Sequence, residues 1–292
     1  MNYTINLTIV VVALAVILSQ QLHRYPVLPL NKGAVVISGA SSGLGKDLAL
    51  RLCSASIDAV VFAGVRGIED GERLKIDAVR AGCKENNLKP LMLDVAIESS
   101  VNASTKLVQS VLEASDLKLI GIVNNAGIAY RASISDLDID NVKAMYDVNL
   151  FGVMRLTTAF LPLLATKGGR IVNTGSVAGL VGLPKWCPYA DSKRALESVT
   201  DSWRRELQPK GISVSILEPG FVKSELCTRP ICTGDPSSTT TPAFVHALTS
   251  AYPRARYAVA NTGVGPAWLV SFLFWVLPDR ILDALLAMMH YD

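Results

Sequence analysis

A serine, a tyrosine and a lysine in the second half of the chain could together move a proton to or from an oxygen atom. Tyr189 and Lys193 are four residues apart, so in a helix their side chains lie on the same face. A nearby ammonium lowers the pKa of a phenol, which could then exchange a proton with an alcohol oxygen while hydride moves at carbon. Ser176 comes 13 residues earlier and could hold the substrate oxygen. The tyrosine–lysine spacing alone is common by chance, so this prediction depends on the surrounding elements.

A glycine-rich turn, SGASSGLG, occupies residues 38–45, between an apolar run and an amphipathic segment. Gly39 permits a tight turn, Gly43 lets the backbone approach a pyrophosphate, and Gly45 lets the next helix pack on the sheet. The start of that helix would present free N–H groups to the phosphates. The residues predicted to contact a dinucleotide here are Gly39, Ser41, Ser42, Gly43, Leu44 and Gly45.

The end of the second predicted strand bears on the choice between NADP and NAD. An acidic residue there would accept the ribose hydroxyls of NAD, but this chain has Gly64, Val65 and Arg66. Arg66 could pair with a 2′-phosphate, which favours NADP(H) and leaves NAD(H) as the alternative. Arg66 could equally be a solvated loop residue.

Short apolar runs alternate with longer amphipathic segments from Gly33 onward. Continuous apolar strands that alternate with helices are typical of a parallel sheet covered on both faces, the doubly wound α/β architecture. No linker interrupts the series, so residues 33–292 are predicted to form one domain. The predicted strands are 34–38, 59–63, one that ends at 91–93, 119–123, 170–173 and 212–217. The predicted helices are 44–53, 72–81, 98–113, 142–164 and 189–208.

Composition excludes several other classes of protein. Half of the 292 residues are hydrophobic and 18% are charged, which excludes a disordered chain. A net charge of +3 without a run of lysine or arginine gives no support for nucleic-acid binding. Five scattered cysteines indicate reduced thiols and neither a disulfide framework nor a metal site. Cys187 and His246 are more simply read as structural residues than as a nucleophile and a substrate contact.

Both ends of the chain carry apolar segments. Residues 9–18 form an unbroken apolar run, shorter than the roughly 20 residues that span a bilayer. We predict that residues 1–32 are a membrane anchor and connector; a cleaved signal peptide and an interfacial helix are the alternatives. His23, Arg24 and Lys32 would place the main domain in the cytosol. Residues 267–276 and 281–289 are predicted to pack on the core or to dip into lipid.

The ordered motifs give the chain a specific resemblance to the short-chain dehydrogenase/reductase family over about residues 33–260. The motifs that carry this resemblance are SGASSGLG (38–45), Asp94-Val95, NNAG (124–127), VNLFG around Asn149, Ser176, YADSK (189–193) and Pro219-Gly220. The resemblance implies a Rossmann fold and a nicotinamide cofactor. Ser38 and Ser224 stand where the family often has threonine; both keep a hydroxyl.

The resemblance assigns roles residue by residue. It implies that Ser176, Tyr189 and Lys193 are catalytic, that Asn149 holds a water in a proton relay, and that Lys193 also binds the nicotinamide ribose. The further cofactor contacts that it implies are Asp94, Val95, Asn125, Ala126, Gly127, Tyr189, Pro219, Gly220 and Val222.

Segments 201–207, 216–223 and 246–259 resemble the retinol and hydroxysteroid dehydrogenase branch, whose members are often anchored to the endoplasmic reticulum. This implies a membrane-associated, cytosol-facing oxidoreductase for lipophilic alcohols or carbonyls, acting as a homodimer or homotetramer; a cytoplasmic protein is the alternative. Leu226, Ile231, Phe244 and Val245 are predicted to give an apolar substrate lid. A catalytically silent dinucleotide-binding sensor or scaffold is the alternative function.

Overall fold

The computed structural model describes residues 23–224, 226 and 234–287, which form an α/β domain around a seven-stranded parallel sheet. Each strand is paired in parallel with its neighbours, and the order across the sheet is β3-β2-β1-β4-β5-β6-β7. The strands are β1 (Gly33–Ile37), β2 (Val60–Val65), β3 (Leu88–Met92), β4 (Lys118–Asn124), β5 (Arg170–Thr174), β6 (Ser213–Pro219) and β7 (Arg256–Val259). The predicted doubly wound, Rossmann-like fold is confirmed.

Nine α-helices connect the strands and follow the last one within the described residues. They are α1 (Gly43–Cys53), α2 (Ile68–Arg80), α3 (Glu98–Glu113), α4 (Ile139–Tyr146), α5 (Gly152–Phe160), α6 (Cys187–Leu207), α7 (Thr241–Thr249), α8 (Ala267–Val276) and α9 (Asp279–Ala287). Because parallel strands need crossover connections, these helices cover both faces of the sheet.

The core has two layers, because alternate residues of a strand point to opposite faces. Val35 and Ile37 of β1 pack on one face with helices α1 and α7, whereas Ala34 and Val36 pack on the other face with α3 and α5. Both faces are buried, which is why the strands are apolar without interruption.

Helix α7 was not predicted, and two further elements differ from the sequence prediction. Residues 142–164 do not form one helix: α4 passes through a π-helical turn, Asp147–Phe151, into α5, and a 3₁₀ turn follows. Strand β7 was not predicted, because only Tyr257 of its four residues is fully buried and the apolar run is too short to stand out. This edge strand completes the sheet beside β6.

The prediction that the cysteines are reduced thiols is wrong for two of them. Cys53, at the end of α1, and Cys83, after α2, form a disulfide with their Cα atoms 5.0 Å apart. The two positions are 30 residues apart, and an isolated bridge between Ser54 and Cys83 aligns the chain segments there. The sequence alone does not show that these two cysteines lie close together in the fold. Cys187 is free and exposed, and its thiol donates to Asp191 at 3.1 Å.

The predicted anchor in residues 1–22 lies outside the described residues. The connector that follows is tied to the edge of the sheet where the strands begin: Tyr25 N–H donates to the Ala251 carbonyl at 2.9 Å, and Arg170 donates to the Pro26 carbonyl at 2.9 Å. Within the described residues, no helix has both the length and the apolar character needed to cross a bilayer.

The C-terminal segments form helices α8 and α9, as predicted, but they bury little of their apolar surface. Ala267 is the buried residue of α8 and Leu282 is that of α9. Trp268 and Trp275 are 61% and 84% exposed, and Phe272 is 53% exposed. Ala267, Val270 and Phe274 nevertheless pack against Val177 and Val181, so the helix contacts the core along one side and faces outward on the other.

Candidate active site

A cleft of about 640 Å³ lies at the edge of the sheet where the strands end, beside the carboxyl ends of β1 and β4. In a doubly wound sheet the two neighbours β1 and β4 lead their chains to opposite faces, which opens a crevice at this point. Nearly all of the residues predicted from the sequence to bind a dinucleotide or to act in proton transfer line this cleft. The two that do not are Gly45 and Asn149.

The glycine turn forms one wall of the cleft in the predicted way. Gly39 and Gly43 have φ angles of +66° and +53°, which favour glycine. A Cβ on Gly39 would lie 2.8 Å from the Ala126 Cα, and one on Gly45 would lie 2.3 Å from the Gly39 carbonyl oxygen. Gly45 therefore packs beneath the turn, while Ser41, Ser42 and Leu44 line the cleft. The turn leaves the close approach that a pyrophosphate needs, so these residues fit the group.

The end of β4 is fastened to this turn by side-chain hydrogen bonds. The Ser38 hydroxyl accepts from the N–H groups of Asn125 and Ala126, both at 3.0 Å. The Asn125 amide donates to the Gly39 carbonyl at 2.9 Å. Serine serves here as well as threonine would, because the contacts use only the hydroxyl. Asn125, Ala126 and Gly127 line the cleft, as the sequence resemblance implies.

Arg66 lies where β2 ends and contributes to the far part of the cleft. Its side chain is exposed and makes no ion pair with any described residue. The nearby Asp70 is paired with Arg73 of the same helix. Asp94 and Val95 line the same part of the cleft, and Asp94 accepts from the Ala96 N–H at 3.0 Å. A guanidinium without a carboxylate partner suits an anionic ligand.

The three residues predicted to move a proton meet at the other end of the cleft. Pro188 at the start of α6 suits a helical N-terminus, and Tyr189 and Lys193 follow on one face of this helix. Lys193 Nζ donates to the Thr174 carbonyl at 2.7 Å and lies 5.8 Å from the centroid of the Tyr189 ring. Ser176 follows β5, lines the same cleft and lowers the pKa of the neighbouring Tyr189 phenol.

Burial dominates the electrostatics of this pair. It raises the pKa of the Tyr189 phenol, and the hydrogen bond from Ser176 lowers that pKa only in part. Burial also lowers the pKa of Lys193 to about 8, although the negative charge of Glu197 opposes the change. The Lys193 ammonium donates to Thr174 and burial is the main influence on the pKa of Tyr189, so the expectation that Lys193 lowers this pKa stays a prediction.

Asn149 is buried behind the cleft, in the π-helical turn between α4 and α5. Its carboxamide accepts from the Ile128 N–H and donates to the Ile128 carbonyl, both at 2.9 Å, and it donates to the Ser192 hydroxyl at 3.1 Å. It thereby fixes the segment after Gly127 against α6. The proton-relay role that the resemblance implies stays a prediction.

The loop after β6 closes the cleft from the opposite side. Pro219, Gly220 and Val222 line it, as predicted. The Gly220 N–H donates to the Val259 carbonyl at 2.9 Å, so the edge strand β7 holds this loop in place. Ser224 lies against the glycine turn, 3.2 Å from the position that a Cβ on Gly43 would occupy.

An apolar wall that the sequence analysis largely missed continues from Tyr189. Only Leu226 among its members was predicted. The members come from four separate segments and are Val181, Leu183, Trp186, Phe221, Leu226, Val264, Val270, Phe274 and Leu286. The Trp186 ring meets Tyr189 edge-on at 5.8 Å, and the Arg131 guanidinium lies 4.4 Å above its other side. No short-range pattern links these positions; helices α8 and α9 contribute three of them, Val270, Phe274 and Leu286.

Two of the predicted lid residues do not belong to this wall. Phe244 is fully buried in the core on α7, and Val245 packs against the same core layer. They lie in the core because α7 packs against β5, β6 and helix α1. Ile231 lies outside the described residues. His246 does not line the cleft either: its Nδ1 pairs with the Tyr257 hydroxyl at 2.8 Å.

Comparisons with known proteins agree with this geometry. Residues 33–230 match the family model for short chain dehydrogenases. The chain is 31% identical to the uncharacterized oxidoreductase YbbO of Escherichia coli, over 87% of this chain and 93% of that protein. It is 36% identical to the 3beta-hydroxysteroid dehydrogenase dhs-16 of Caenorhabditis elegans, over 66% of this chain but about half of that protein (49%).

A solved structure shares the fold. The short chain dehydrogenase from Burkholderia cenocepacia in complex with NADP superposes with a TM-score of 0.71 at 23% identity, over 88% of this chain and 98% of that one. At this identity the superposition supports the architecture alone.

Proposed function

The chain belongs to the short-chain dehydrogenase family and is an oxidoreductase acting on CH–OH groups, and we propose that it moves hydride between NADP(H) and a lipophilic alcohol or carbonyl, with Tyr189 as proton donor and acceptor. One observation carries the proposal: a single cleft joins the glycine turn, the Ser176–Tyr189–Lys193 group and an apolar wall. The first part suits a dinucleotide, the second proton transfer, and the third an apolar substrate.

The proposed mechanism assigns one task to each polar group. A bound nicotinamide supplies or accepts the hydride at carbon. Ser176 donates a hydrogen bond to the substrate oxygen and fixes it beside the phenol. Tyr189 gives its proton to that oxygen during carbonyl reduction and removes the proton during alcohol oxidation. Lys193, held by Thr174, places a positive charge behind the phenol and offsets part of the cost of forming a buried phenolate.

Arg66 supports the preference for NADP(H). It lies in the cleft at the end of β2 without a carboxylate partner among the described residues, and the carboxylate of Asp70 is engaged by Arg73. A 2′-phosphate would give the guanidinium a bidentate partner, whereas the hydroxyls of an NAD ribose would meet no acceptor at this position.

The apolar wall supports a lipophilic substrate. Trp186, Phe221 and Phe274 present aromatic surface around the phenol of Tyr189, and a sugar alcohol would leave its hydroxyls without partners there. The hydroxysteroid relative is described by its name as acting on such a compound, which agrees with this choice.

We further propose that α8 and α9 rest on a membrane. Both helices contribute to the apolar wall on one side. On the other side, α8 exposes Trp268, Phe272 and Trp275. Tryptophan is favoured at the boundary between lipid and water. An apolar substrate could then pass from lipid into the cleft between these helices. The endoplasmic reticulum and a homodimer or homotetramer remain part of this proposal.

The Cys53–Cys83 disulfide changes the proposed orientation. Structural disulfides are typical of oxidising compartments and rare in the cytosol. We therefore propose that the catalytic domain faces the lumenal side of the membrane, against the cytosolic side expected from His23, Arg24 and Lys32.

A panel of alcohols and ketones tests the substrate class. Retinoid, steroid, long-chain and sugar alcohols are each offered with NADP and with NAD, and formation of the reduced cofactor is followed by its absorbance. The proposal expects turnover of lipophilic members only. Trp186→Ala should raise the KM for the lipophilic members. Trp203→Ala, which lies in α6 but away from the cleft, serves as the control for altered aromatic content. Preference for a sugar alcohol would contradict the proposed substrate class.

A further inference from the structure

A cluster of ion pairs lies behind Lys193, on the side of α6 that faces β6 and β7. Arg256 of β7 contacts three carboxylates there: Glu197 at 3.2 Å, Asp201 at 3.1 Å and Glu218 at 3.2 Å. Glu197 and Glu218 are 5% and 2% exposed. The Arg256 side chain is 39% exposed, and ion pairs with buried carboxylates gain little net stability because desolvation offsets their attraction, so a role in the neighbouring site is worth examining.

Glu197 connects this cluster to the proton-transfer group. It follows Lys193 by four residues on α6, which places it on the same face one turn further along, a rise of about 6 Å. Both side chains are buried, so little solvent screens the charge of one from the other. The negative charge of Glu197 raises the pKa of Lys193 and opposes the effect of burial.

The charge on Glu197 depends in turn on Arg256. Burial raises the pKa of Glu197, and Arg256 is the main group that lowers it again. Neither oxygen of Glu197 has a hydrogen-bond donor in good geometry, so the arginine holds the carboxylate by charge. The ionisable groups that face Glu197 are Lys193, Arg194 and Asp201 from α6, Glu218 from β6 and Arg256 from β7.

The other two carboxylates are less able to act on Lys193. Asp201 lies two turns from Lys193 and is already shared with Arg204 and Arg205. Glu218 is desolvated and lies beside Glu197, which together raise its pKa to about 7. Of the three, Glu197 is the carboxylate that both adjoins Lys193 and has its charge maintained by an arginine.

We propose that Glu197, paired with Arg256 and one helical turn beyond Lys193, is a positioning residue whose negative charge supports the buried Lys193 ammonium in its action on Tyr189 and on the cofactor ribose. This inference rests on the proposed function, since it assigns Lys193 that role. The edge strand β7 then takes part in the chemistry, because it carries Arg256 and leads into α8 and the apolar wall.

The test measures NADPH binding against pH in the full-length protein. Binding is followed by energy transfer from the tryptophans to the bound reduced nicotinamide, so no turnover is needed. In the unchanged protein, binding should weaken as Lys193 loses its proton, with a midpoint near pH 8. In Glu197→Gln this midpoint should move down by about one pH unit, because an opposite charge at this distance shifts a pKa by that order. Arg256→Gln should move it in the same direction.

Three control variants separate this role from general structural damage. Glu206→Gln removes an exposed carboxylate from the same helix and should leave the midpoint unchanged. Glu197→Asp and Arg256→Lys keep the charges, so their midpoints should lie close to that of the unchanged protein. If Glu197→Gln does not fold, Arg256→Gln and the two charge-keeping variants provide the same comparison.

The outcomes distinguish this inference from the proposed function. A protein that binds no NADPH at any pH would overturn both. Binding with an alkaline midpoint that is the same in the unchanged protein and in the folded Glu197→Gln or Arg256→Gln variants would overturn the role of Glu197 alone and leave the proposed oxidoreductase intact.

Discussion

Lys193 Nζ donates a 2.7 Å hydrogen bond to the backbone carbonyl of Thr174, the last residue of β5. This bond joins α6 to the end of a central strand only two residues before Ser176. It brings a serine and a tyrosine that are 13 residues apart in sequence to the same part of the cleft. The carbonyl also uses one of the three donors of the ammonium and leaves the other two for the cleft.

Arg66→Glu should reverse the cofactor preference. The substitution removes the proposed partner of the 2′-phosphate and adds an acceptor for ribose hydroxyls, so NADP affinity should fall by about 10- to 100-fold while NAD affinity is kept or improved. Binding of both reduced cofactors is measured by their fluorescence.

The matched control for Arg66 is Lys106→Glu, which makes the same change of charge at an exposed position on α3. It should weaken the binding of neither cofactor. Equal losses in the two variants would indicate long-range charge instead of a phosphate contact.

Glu218→Gln should change how stability depends on pH. Burial raises the pKa of Glu218 from an ordinary value of 4.5 to about 7, so the folded protein retains a proton that the unfolded chain releases. This proton stabilises the fold fully below about pH 4.5, and the contribution, about 3 kcal/mol, is lost as the pH rises to about 7. Glutamine, which is always neutral, should remove most of that decline.

Urea unfolding at pH 5 and pH 8 measures this effect. The unchanged protein should lose stability between the two values, and Glu218→Gln should lose less, whereas Glu206→Gln should behave as the unchanged protein does. The same decline in all three proteins would show that Glu218 does not titrate in this range.

Much of the site follows from local sequence, and the remainder depends on distant contacts. The glycine turn, Tyr189 and Lys193 each combine a residue type with a short-range spacing, so pattern and chemistry suffice to find them. Trp186 and Phe274 reach the cleft only because the start of α6 and helix α8 both border it, and no periodicity records that arrangement. The same holds for Cys53 and Cys83, which two helices bring together. The break at Asn149 was missed because a π-helical turn preserves the apolar pattern of a continuous helix.

Trp268 and Trp275 should contact lipid in the full-length protein. In vesicles of phosphatidylcholine with brominated acyl chains, tryptophan fluorescence should be quenched, because both rings are largely exposed on α8. Replacing both by phenylalanine should remove most of the quenching. Trp203→Phe, at a partly buried position packed against the core, should not. Quenching that persists in the double variant would contradict the proposed face.

The disulfide should be detectable by alkylation. In the denatured protein, Cys53 and Cys83 should react with iodoacetamide only after reduction, whereas the exposed Cys187 should react without it. Closing a loop of 30 residues stabilises a fold by about 3 to 4 kcal/mol in the chain-entropy model, so reduction should lower the unfolding temperature. Free thiols at both positions before reduction would contradict the bond.

The lumenal orientation predicts a glycan at Asn102. Asn102-Ala103-Ser104 is an acceptor tripeptide, and the asparagine is exposed on α3. In microsomes, endoglycosidase treatment should reduce the apparent mass of the protein, and Asn102→Gln should remove part of that change. Digestion of the catalytic domain by protease added outside intact microsomes would place it in the cytosol instead.

Turnover and cofactor binding by Tyr189→Phe, measured side by side with the unchanged protein, decide whether Tyr189 is the proton donor. Phenylalanine keeps the ring and removes only the hydroxyl, so the fold and the cleft should be preserved. We expect turnover of a lipophilic alcohol with NADP to fall by about 100- to 10,000-fold while NADPH binding stays nearly unchanged. Turnover that persists in Tyr189→Phe would contradict the assignment, and binding without turnover in the unchanged protein would favour a dinucleotide sensor.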